Sequence, residues 1–268
     1  MGAVLSSLLI AVPQNPCKIA KYKDMPPPKC VHMTLGEEDL RNKTIIIVGD
    51  VHGCLEELQE LIRLTEVKYD DKCLYIFVGD IINKGPKNVE TLHFIQKLGA
   101  YVVRGNHEER VIKEWNDLKS GRLPTFTMNY SWMEELSESD MNYIMAFPYT
   151  ITIPSRSITV VHAGLSAWKN INSQKPKHMV TMRNIVGIDN IDPLESEETD
   201  RGVPWASVWP GPQHVYFGHD AKRRLQVYPY ATGLDTGCVY GGSLSAVNAS
   251  LPGTVIVSVP ARCNYKEY

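Results

Sequence analysis

The chain has 268 residues, 43% of them hydrophobic and 22% charged, enough apolar material for a sizeable core and too much for wholesale disorder. A formal net charge of −2 excludes a global positive field, so any grip on a polyanion must be local and no duplex nucleic acid is expected as a partner. Six cysteines (Cys17, Cys30, Cys54, Cys73, Cys238, Cys263) are scattered without a CxxC pair, which fits reduced thiols and a cytoplasmic protein better than a disulfide framework or a thiolate zinc site.

In chain order the first element is a tail. MGAVLSS matches M-G-x-x-x-S, which makes Gly2 a candidate for N-myristoylation and for a peripheral membrane tether. The apolar run from Ala3 to Val12 is too short to span a bilayer, and it lacks the positive n-region of a secretory signal. Lys18, Lys21, Lys23 and Lys29 follow, with Cys17 and Cys30 nearby, which is the second signal that a single acyl chain needs. Proline-rich punctuation (PQNP, then MPPPK) closes the tail at residues 1–43 and leaves one domain over 44–268.

From Thr44 the pattern alternates. TIIIVGD reads as a buried strand and LEELQELIRLTE (55–66) as a helix with apolar residues at Leu55, Leu58, Leu61 and Ile62. CLYIFVGD is a second buried strand, and NVETLHFIQKLG (88–99) a helix stopped by Gly99. AYVVRGNHE is a third strand, followed by a helix over Glu108 to Lys119. Two short helical stretches, 131–136 and 139–146, read as an insertion. YTITIP and SITVVHAG form a hairpin around a Ser-Arg-Ser turn, and HVYFGH, LQVYPY, SLSAVNA and GTVIVSVP are further short strands. The polar segment 166–204 reads as a loop-rich rim. Alternation predicts a parallel sheet covered by helices, and the second half predicts a mixed or antiparallel sheet packed upon it. The fold class is therefore α/β, a two-sheet sandwich flanked by helices.

The chemistry lies where the strands stop. The first three strands deliver Gly49-Asp50-Val51-His52-Gly53, Gly79-Asp80, and Arg104-Gly105-Asn106-His107-Glu108, and the second half delivers His162 and His219. Parallel strand ends converge on one edge, where open α/β folds bind ligands. Carboxylate, carboxamide and imidazole are the donor set for divalent Mn, Fe or Zn, and this number of donors suits two ions sharing a bridge. One Gly-Asp turn is routine structure, but five such strand ends in one chain are not. His32, His93, His178 and His214 stand outside this pattern and carry no assigned role.

GDVHG (49–53), GDIINKGP (79–86), RGNHE (104–108), VHAGL (161–165) and FGH (217–219) resemble the calcineurin-like metallophosphoesterases, in their phosphoprotein-phosphatase branch. NKGP and DTGCVYGGSL (235–244) are similar to the ApaH-like group, related to diadenosine tetraphosphate hydrolases. The resemblance implies that Asp50 and His52 hold a first metal, that Asp80 bridges, and that Asn106, His162 and His219 hold a second. It implies that His107 protonates the leaving oxygen. It also puts Asn83 where the family's imidazole-orienting carboxylate stands, and Lys84 where a phosphate-gripping arginine stands. Arg201 in DRGVPW is the second implied phosphate ligand, Arg104 a brace for the Asn106 loop, and Glu108 structural. Lys222, Arg223 and Arg224 offer a basic track, and Trp205 and Trp209 offer rings for a nucleobase.

The expected activity is hydrolysis of phosphoric anhydrides with two divalent ions. The expected substrates are a phosphorylated small molecule such as a dinucleoside polyphosphate, a capped RNA end, or polyphosphate. Serine/threonine protein phosphatase activity is the rival within enzymes, and a non-catalytic metal-stabilised binding module the rival outside them.

Overall fold

The computed structural model describes residues 26–40, 43–69, 72–189, 192–251 and 253–266, so the expected acylation at Gly2 and the thiol of Cys17 lie outside the described residues. In chain order the first half runs β1 (His32–Thr34), α1 (Glu37–Leu40), β2 (Thr44–Val48), α2 (Leu55–Tyr69), β3 (Cys73–Phe77), α3 (Asn88–Leu98), β4 (Tyr101–Val102), α4 (Asn106–Lys119) and α5 (Glu138–Met145). The second half runs β5 (Thr150–Ile153), β6 (Ile158–Val161), α6 (Pro176–Thr181), β7 (Asn184–Val186), β8 (Leu194–Ser196) and β9 (Val203–Pro204). It closes with β10 (His214–Phe217), β11 (Gln226–Tyr228), β12 (Ala231–Gly233), β13 (Ser243–Asn248) and β14 (Val255–Pro260).

Two large sheets carry the fold. One has the order β14-β13-β2-β3-β4, and the other β1-β5-β6-β10-β12-β11. Strands β2, β3 and β4 run parallel in the first, and β6, β10 and β12 run parallel in the second. The period-2 geometry of a strand divides each apolar run between two cores. Ile45, Ile47, Leu74 and Ile76 turn towards Ile151, Ile153, Ile158 and Val160 of the other sheet. Ile46, Val48, Tyr75 and Phe77 turn the other way, onto Leu58, Leu61 and Leu92 of the covering helices. A run such as TIIIV is apolar throughout because both of its faces are covered. A third core packs Val161, Val215 and Phe217 against Met179, Val180 and Trp205.

Local chemistry sets the helix ends. Gly99 takes φ 66 beyond α3, a left-handed cap that favours glycine. Ser137 caps α5, accepting from the Asp140 amide, while the Asp140 carboxylate accepts from the Ser137 amide at 2.9 Å. Among the described residues no helix is long and apolar enough to cross a membrane.

The structure departs from the sequence reading in three places. The C-terminal strands β13 and β14 join the first sheet, antiparallel beside β2, rather than the second. Leu244 and Ala246 feed the helix-side core and Val247 the inter-sheet core, so β13 needs cover on both faces and takes an interior position. The boundary expected at residue 43 falls inside the fold, because β1 pairs parallel with β5 and Leu35 and Leu40 are buried. The segment read as a loop-rich rim contains α6 and a small sheet of order β8-β7-β9.

Candidate metal centre

Six parallel strand ends meet at one place, three from each large sheet. β2, β3 and β4 deliver Asp50 and His52, Asp80, and Asn106 with His107, while β6, β10 and β12 deliver His162, His219 and Asp235. The turns are tight and partly strained. His52, Asp80, Asn83, Lys84 and His219 all have positive φ (51, 49, 74, 77 and 69°), a region that costs non-glycine residues about 1–2 kcal/mol each. Glycine makes the close approaches possible. A Cβ on Gly105 would lie 2.2 Å from Asp80 Oδ1, one on Gly218 would lie 2.0 Å from Asp50 Oδ1, and one on Gly85 would lie 2.0 Å from the His52 carbonyl. That last contact explains GDIINKGP: Asn83 and Lys84 turn left-handed and Gly85 drops its N–H onto the His52 carbonyl at 2.9 Å.

Asp80 sits at the middle. Its Oδ2 lies 3.4 Å from His162 Nε2, 3.7 Å from His52 Nε2 and 4.0 Å from His107 Nε2, and its Oδ1 accepts the His107 amide at 2.8 Å. Glu108 holds the loop, accepting from the amides of Asp80, Ile81 and Gly105 at 2.8–3.0 Å, in keeping with its structural assignment. Asn106 Oδ1 lies 3.0 Å from His162 Nε2 and 2.8 Å from His219 Nδ1. Asp50 accepts the His219 amide at 3.1 Å. Ligand atoms of Asp80, His162 and His219 group within 4.8 Å of one another, as do those of His52, Asp80 and His107.

Whether these residues fit a cation can be tested on their protons. The Val78 carbonyl accepts from His162 Nδ1 at 2.8 Å, and a carbonyl can only accept, so His162 Nε2 presents a bare lone pair. That lone pair faces the oxygens of Asn106 and Asp80, an arrangement that a cation resolves. His52 is oriented alike, with Nδ1 towards the Ile82 carbonyl and Nε2 receiving the Lys84 ammonium at 3.0 Å, a positive charge set on the coordinating atom. His219 Nε2 is buried without a partner.

The electrostatics agree. Burial first, then Lys84, holds His52 down to about 3, and burial also holds His107 and His219 well below the ordinary imidazole value. Burial, with Asp235 and Asp80 beside it, pushes the Asp50 carboxyl well up, and burial pushes Asp235 up to about 6. Burial also opposes the charge on Asp80, but the surrounding imidazoles and Lys84 outweigh it and hold that carboxyl well below the usual range. Neutral imidazoles and carboxylates short of positive charge fit divalent cations.

The centre opens into a cavity of ≈ 370 Å³ whose lining includes Lys84, His107, Arg110, Arg183, Lys222 and Tyr240 as well as His52, Asp80, Asn106, His219 and Asp235. Asn83 stands next to His107, with its Nδ2 3.0 Å from His107 Nδ1. Arg201 does not come to the cavity. Its side chain is exposed and its carbonyl accepts from Asn184 Nδ2 at 2.6 Å, so Arg183 and Arg110 bring the guanidinium groups instead. Of the basic run only Lys222 lines the cavity. Arg223 is held by Asp220 and Asn184, and Arg224 by the carbonyls of Thr236 and Gly237. Trp205 is core, with its ring centroid 4.9 Å from that of Phe217, and Trp209 donates to the Gln213 carbonyl at 2.9 Å and lines a separate cavity with His32 and Gln174, so neither ring lines the metal-centre cavity. Arg104 is fully buried against Glu109 at 3.2 Å and the Met145 carbonyl, the expected brace. His32, His93, His178 and His214 lie apart, paired with Thr150, Asp140, Glu195 and Thr232.

Sequence reading missed Asp235, although ATGLD repeats the pattern of an apolar strand ending in Asp. It also missed Arg110, one helical turn beyond His107, and Tyr240. It missed as well a buried trio in which Cys54 and Glu57, three residues apart, meet the distant Cys238.

Comparison with known proteins gives a consistent picture. The model of the calcineurin-like phosphoesterase family matches residues 43–233. The asymmetrical bis(5'-nucleosyl)-tetraphosphatase of Halalkalibacterium halodurans is 29% identical over 241 residues, spanning 81% of this chain and 93% of that protein. The symmetrical bis(5'-nucleosyl)-tetraphosphatase of Coxiella burnetii is 27% identical over 260 residues, spanning 75% and 87%. A crystal structure provisionally assigned as a diadenosine tetraphosphatase superposes with a TM-score of 0.75 at 36% identity, covering 87% of this chain and 98% of that one. A protein serine/threonine phosphatase of Saccharomyces cerevisiae shares the fold, with a TM-score of 0.53 at 16% identity over 88% of this chain and 84% of its own.

Proposed function

The chain belongs to the calcineurin-like phosphoesterases, hydrolytic enzymes that use divalent metal ions, and from that premise we propose that it cleaves the phosphoric anhydride bonds of dinucleoside polyphosphates. Two ions drawn from Mn, Fe or Zn would be held by Asp50, His52, Asp80, Asn106, His162 and His219. When bound, they supply polarisation of the phosphoryl group and activation of the attacking water. Lys84 binds a phosphoryl oxygen as a point charge, and Arg110 and Arg183 take further oxygens along the chain of phosphates. His107 Nε2 faces Asp80 across the reaction space and donates a hydrogen bond to the leaving oxygen.

The observation that carries the anhydride reading is the Asn83–His107 pair. The Lys84 amide donates to Asn83 Oδ1 at 2.9 Å, which turns Asn83 Nδ2 onto His107 Nδ1 at 3.0 Å. Nδ1 is therefore the acceptor, and the imidazole proton sits on Nε2 without a carboxylate behind it to stabilise a second one. A neutral imidazole is a weak acid. It suffices for a phosphate leaving group, whose own second pKa is about 6, and does not suffice for the far more basic alkoxide of serine or threonine. Asn83 thus favours anhydrides over phosphoprotein esters.

The test mixes the purified chain with Mn²⁺ or Zn²⁺ and, separately, diadenosine tetraphosphate, capped RNA, long-chain polyphosphate and a phosphoserine peptide, with products identified by chromatography. One water added to diadenosine tetraphosphate gives either two ADP or ATP plus AMP, which separates the symmetrical from the asymmetrical mode of the two relatives. Turnover confined to anhydrides is expected. Turnover of the peptide alone would refute the reading.

A further inference from the structure

A second cavity of ≈ 330 Å³ lies against the metal-centre cavity, and the two share Lys84, His107, Arg110 and Tyr240 as a common wall. A ligand seated in one can therefore extend into the other. The far side of the second cavity is made by Tyr130 and Trp132, on the 3-10 helix Met128–Glu135, and by Lys266 near the C-terminus. Sequence reading treated this helix only as an insertion.

The lining has a definite chemistry. Three aromatic rings, Tyr130, Trp132 and Tyr240, stand with three cations, Lys84, Arg110 and Lys266, and the described lining residues include no carboxylate. The Lys84 ammonium lies 5.1 Å from the Tyr240 ring centroid, so cation and ring already face each other. Two N–H groups of this wall, Arg110 Nε and Trp132 Nε1, are buried without a protein partner, a desolvation that native folds rarely leave uncompensated. The volume falls in the roughly 300–1,000 Å³ range of small-molecule sites. An anion alone would need the cations and not the rings, and an apolar ligand the reverse. A nucleotide uses both.

We propose that this cavity is a nucleoside 5'-phosphate subsite. The base lies against Tyr130 and Trp132, and the phosphate chain passes Lys84 and Arg110 into the metal centre. Rings that stack on any π-face recognise the class of ligand rather than one particular base. The assignment rests on the nucleoside-polyphosphate reading given above and adds the residues that would select it over plain polyphosphate.

The test is calorimetric binding to the full chain with Mn²⁺ supplied, using AMP, ribose 5-phosphate and inorganic phosphate, none of which contains an anhydride. AMP is expected to bind more tightly than ribose 5-phosphate by about 5- to 150-fold, the range for stacking one base on an aromatic side chain. Trp132→Leu and Tyr130→Leu should each remove most of that preference. Each should also lower, by a similar factor, the ratio of kcat/KM for diadenosine tetraphosphate to that for inorganic tripolyphosphate. Both rings also pack on the helix-side core, so folding is checked by circular dichroism. If neither variant folds, the indole N–H resonance of Trp132 in the wild-type chain is followed instead, and it must shift with AMP and not with ribose 5-phosphate. Equal affinity for AMP and ribose 5-phosphate overturns the subsite, and so does a base preference that survives both substitutions. Anhydride turnover without base preference sinks the subsite alone. Base preference without anhydride turnover sustains the subsite and sinks the functional reading.

Discussion

Asn83→Asp is the substitution that bears most directly on substrate choice. Asn83 is buried, at 7% exposure, with its Nδ2 3.0 Å from His107 Nδ1. The isosteric carboxylate keeps the acceptor for the Lys84 amide and turns its second oxygen onto the imidazole, where Nδ1 must now carry a proton. Opposite unit charges at that separation attract by about 5 kcal/mol at an effective dielectric near 20. Burying the new carboxylate consumes part of this, so the expected rise in the His107 pKa is about 1–3 pH units, or about 1.4–4 kcal/mol. In the wild-type chain burial holds that imidazole well below its ordinary value, so its protonated form is scarce near neutral pH. Raising it populates the imidazolium near neutral pH, a far better proton donor than the neutral ring, worth about 10²–10⁴ in rate to a leaving group that needs a proton. The assay is kcat/KM for a phosphoserine peptide relative to diadenosine tetraphosphate, measured across pH. The ratio should rise at least about 100-fold, and the variant's peptide activity should fall as pH rises through the elevated His107 value. An unchanged ratio in a folded, metal-replete variant would refute the leaving-group argument.

Other substitutions separate the parts. Asp80→Asn should abolish turnover and reduce bound metal, because this carboxylate lies between both imidazole groups; normal activity and metal content would undo the site assignment. His107→Asn should slow turnover by about 10²–10⁴ while the metal content stays at the wild-type level, as read by elemental analysis. Gly218→Ala drives a methyl into Asp50 Oδ1 at 2.0 Å, with an expected stability cost of about 1–3 kcal/mol and weaker metal binding; a denaturant melt and a metal titration that match wild type would show that the close approach is not needed. Burial opposes the charge on Asp140, but the Ser137 hydroxyl and amide and His93 outweigh it and depress its pKa below 3.8. Its contribution is therefore present above about pH 4 and is lost as pH falls through the depressed value. Asp140→Asn should cost about 1 kcal/mol at neutral pH, and thermal melts should show the gap closing in acid.

Much of the centre was legible because strand ends are encoded locally. An apolar run, a glycine and a ligand-type residue lie within a few positions, and parallel neighbours bring such ends together without any further instruction. That logic singled out Asp50, Asp80, Asn106, His162 and His219; Asp80, Asn106 and His219 line one cavity, His162 groups with Asp80 and His219, and Asp50 accepts the His219 amide behind them. It failed where position depends on tertiary packing. Arg201 sits in an arginine motif, yet the turn beside β9 leaves it exposed, while Arg183 reaches the cavity from the residue before β7. Trp205 and Trp209 could be read as binding rings, though core is the commoner role of aromatics, and tertiary packing decides: Trp205 is buried on Phe217, and Trp209 faces a separate cavity. The interior place of β13 follows from burial on both faces, which a six-residue strand does not announce in its sequence.

Two divalent ions would be held by the six strand-end side chains Asp50, His52, Asp80, Asn106, His162 and His219, with Asp80 in both candidate ligand groups. The most direct measurement is metal stoichiometry by elemental analysis of the full chain, stripped with chelator, reloaded with Mn²⁺ or Zn²⁺ and freed of excess ion. It should be made beside Asp80→Asn and His162→Ala variants. Two ions per wild-type chain are expected, with a loss in both variants. One ion or none in the wild-type chain, or full occupancy in Asp80→Asn, would contradict the dinuclear centre.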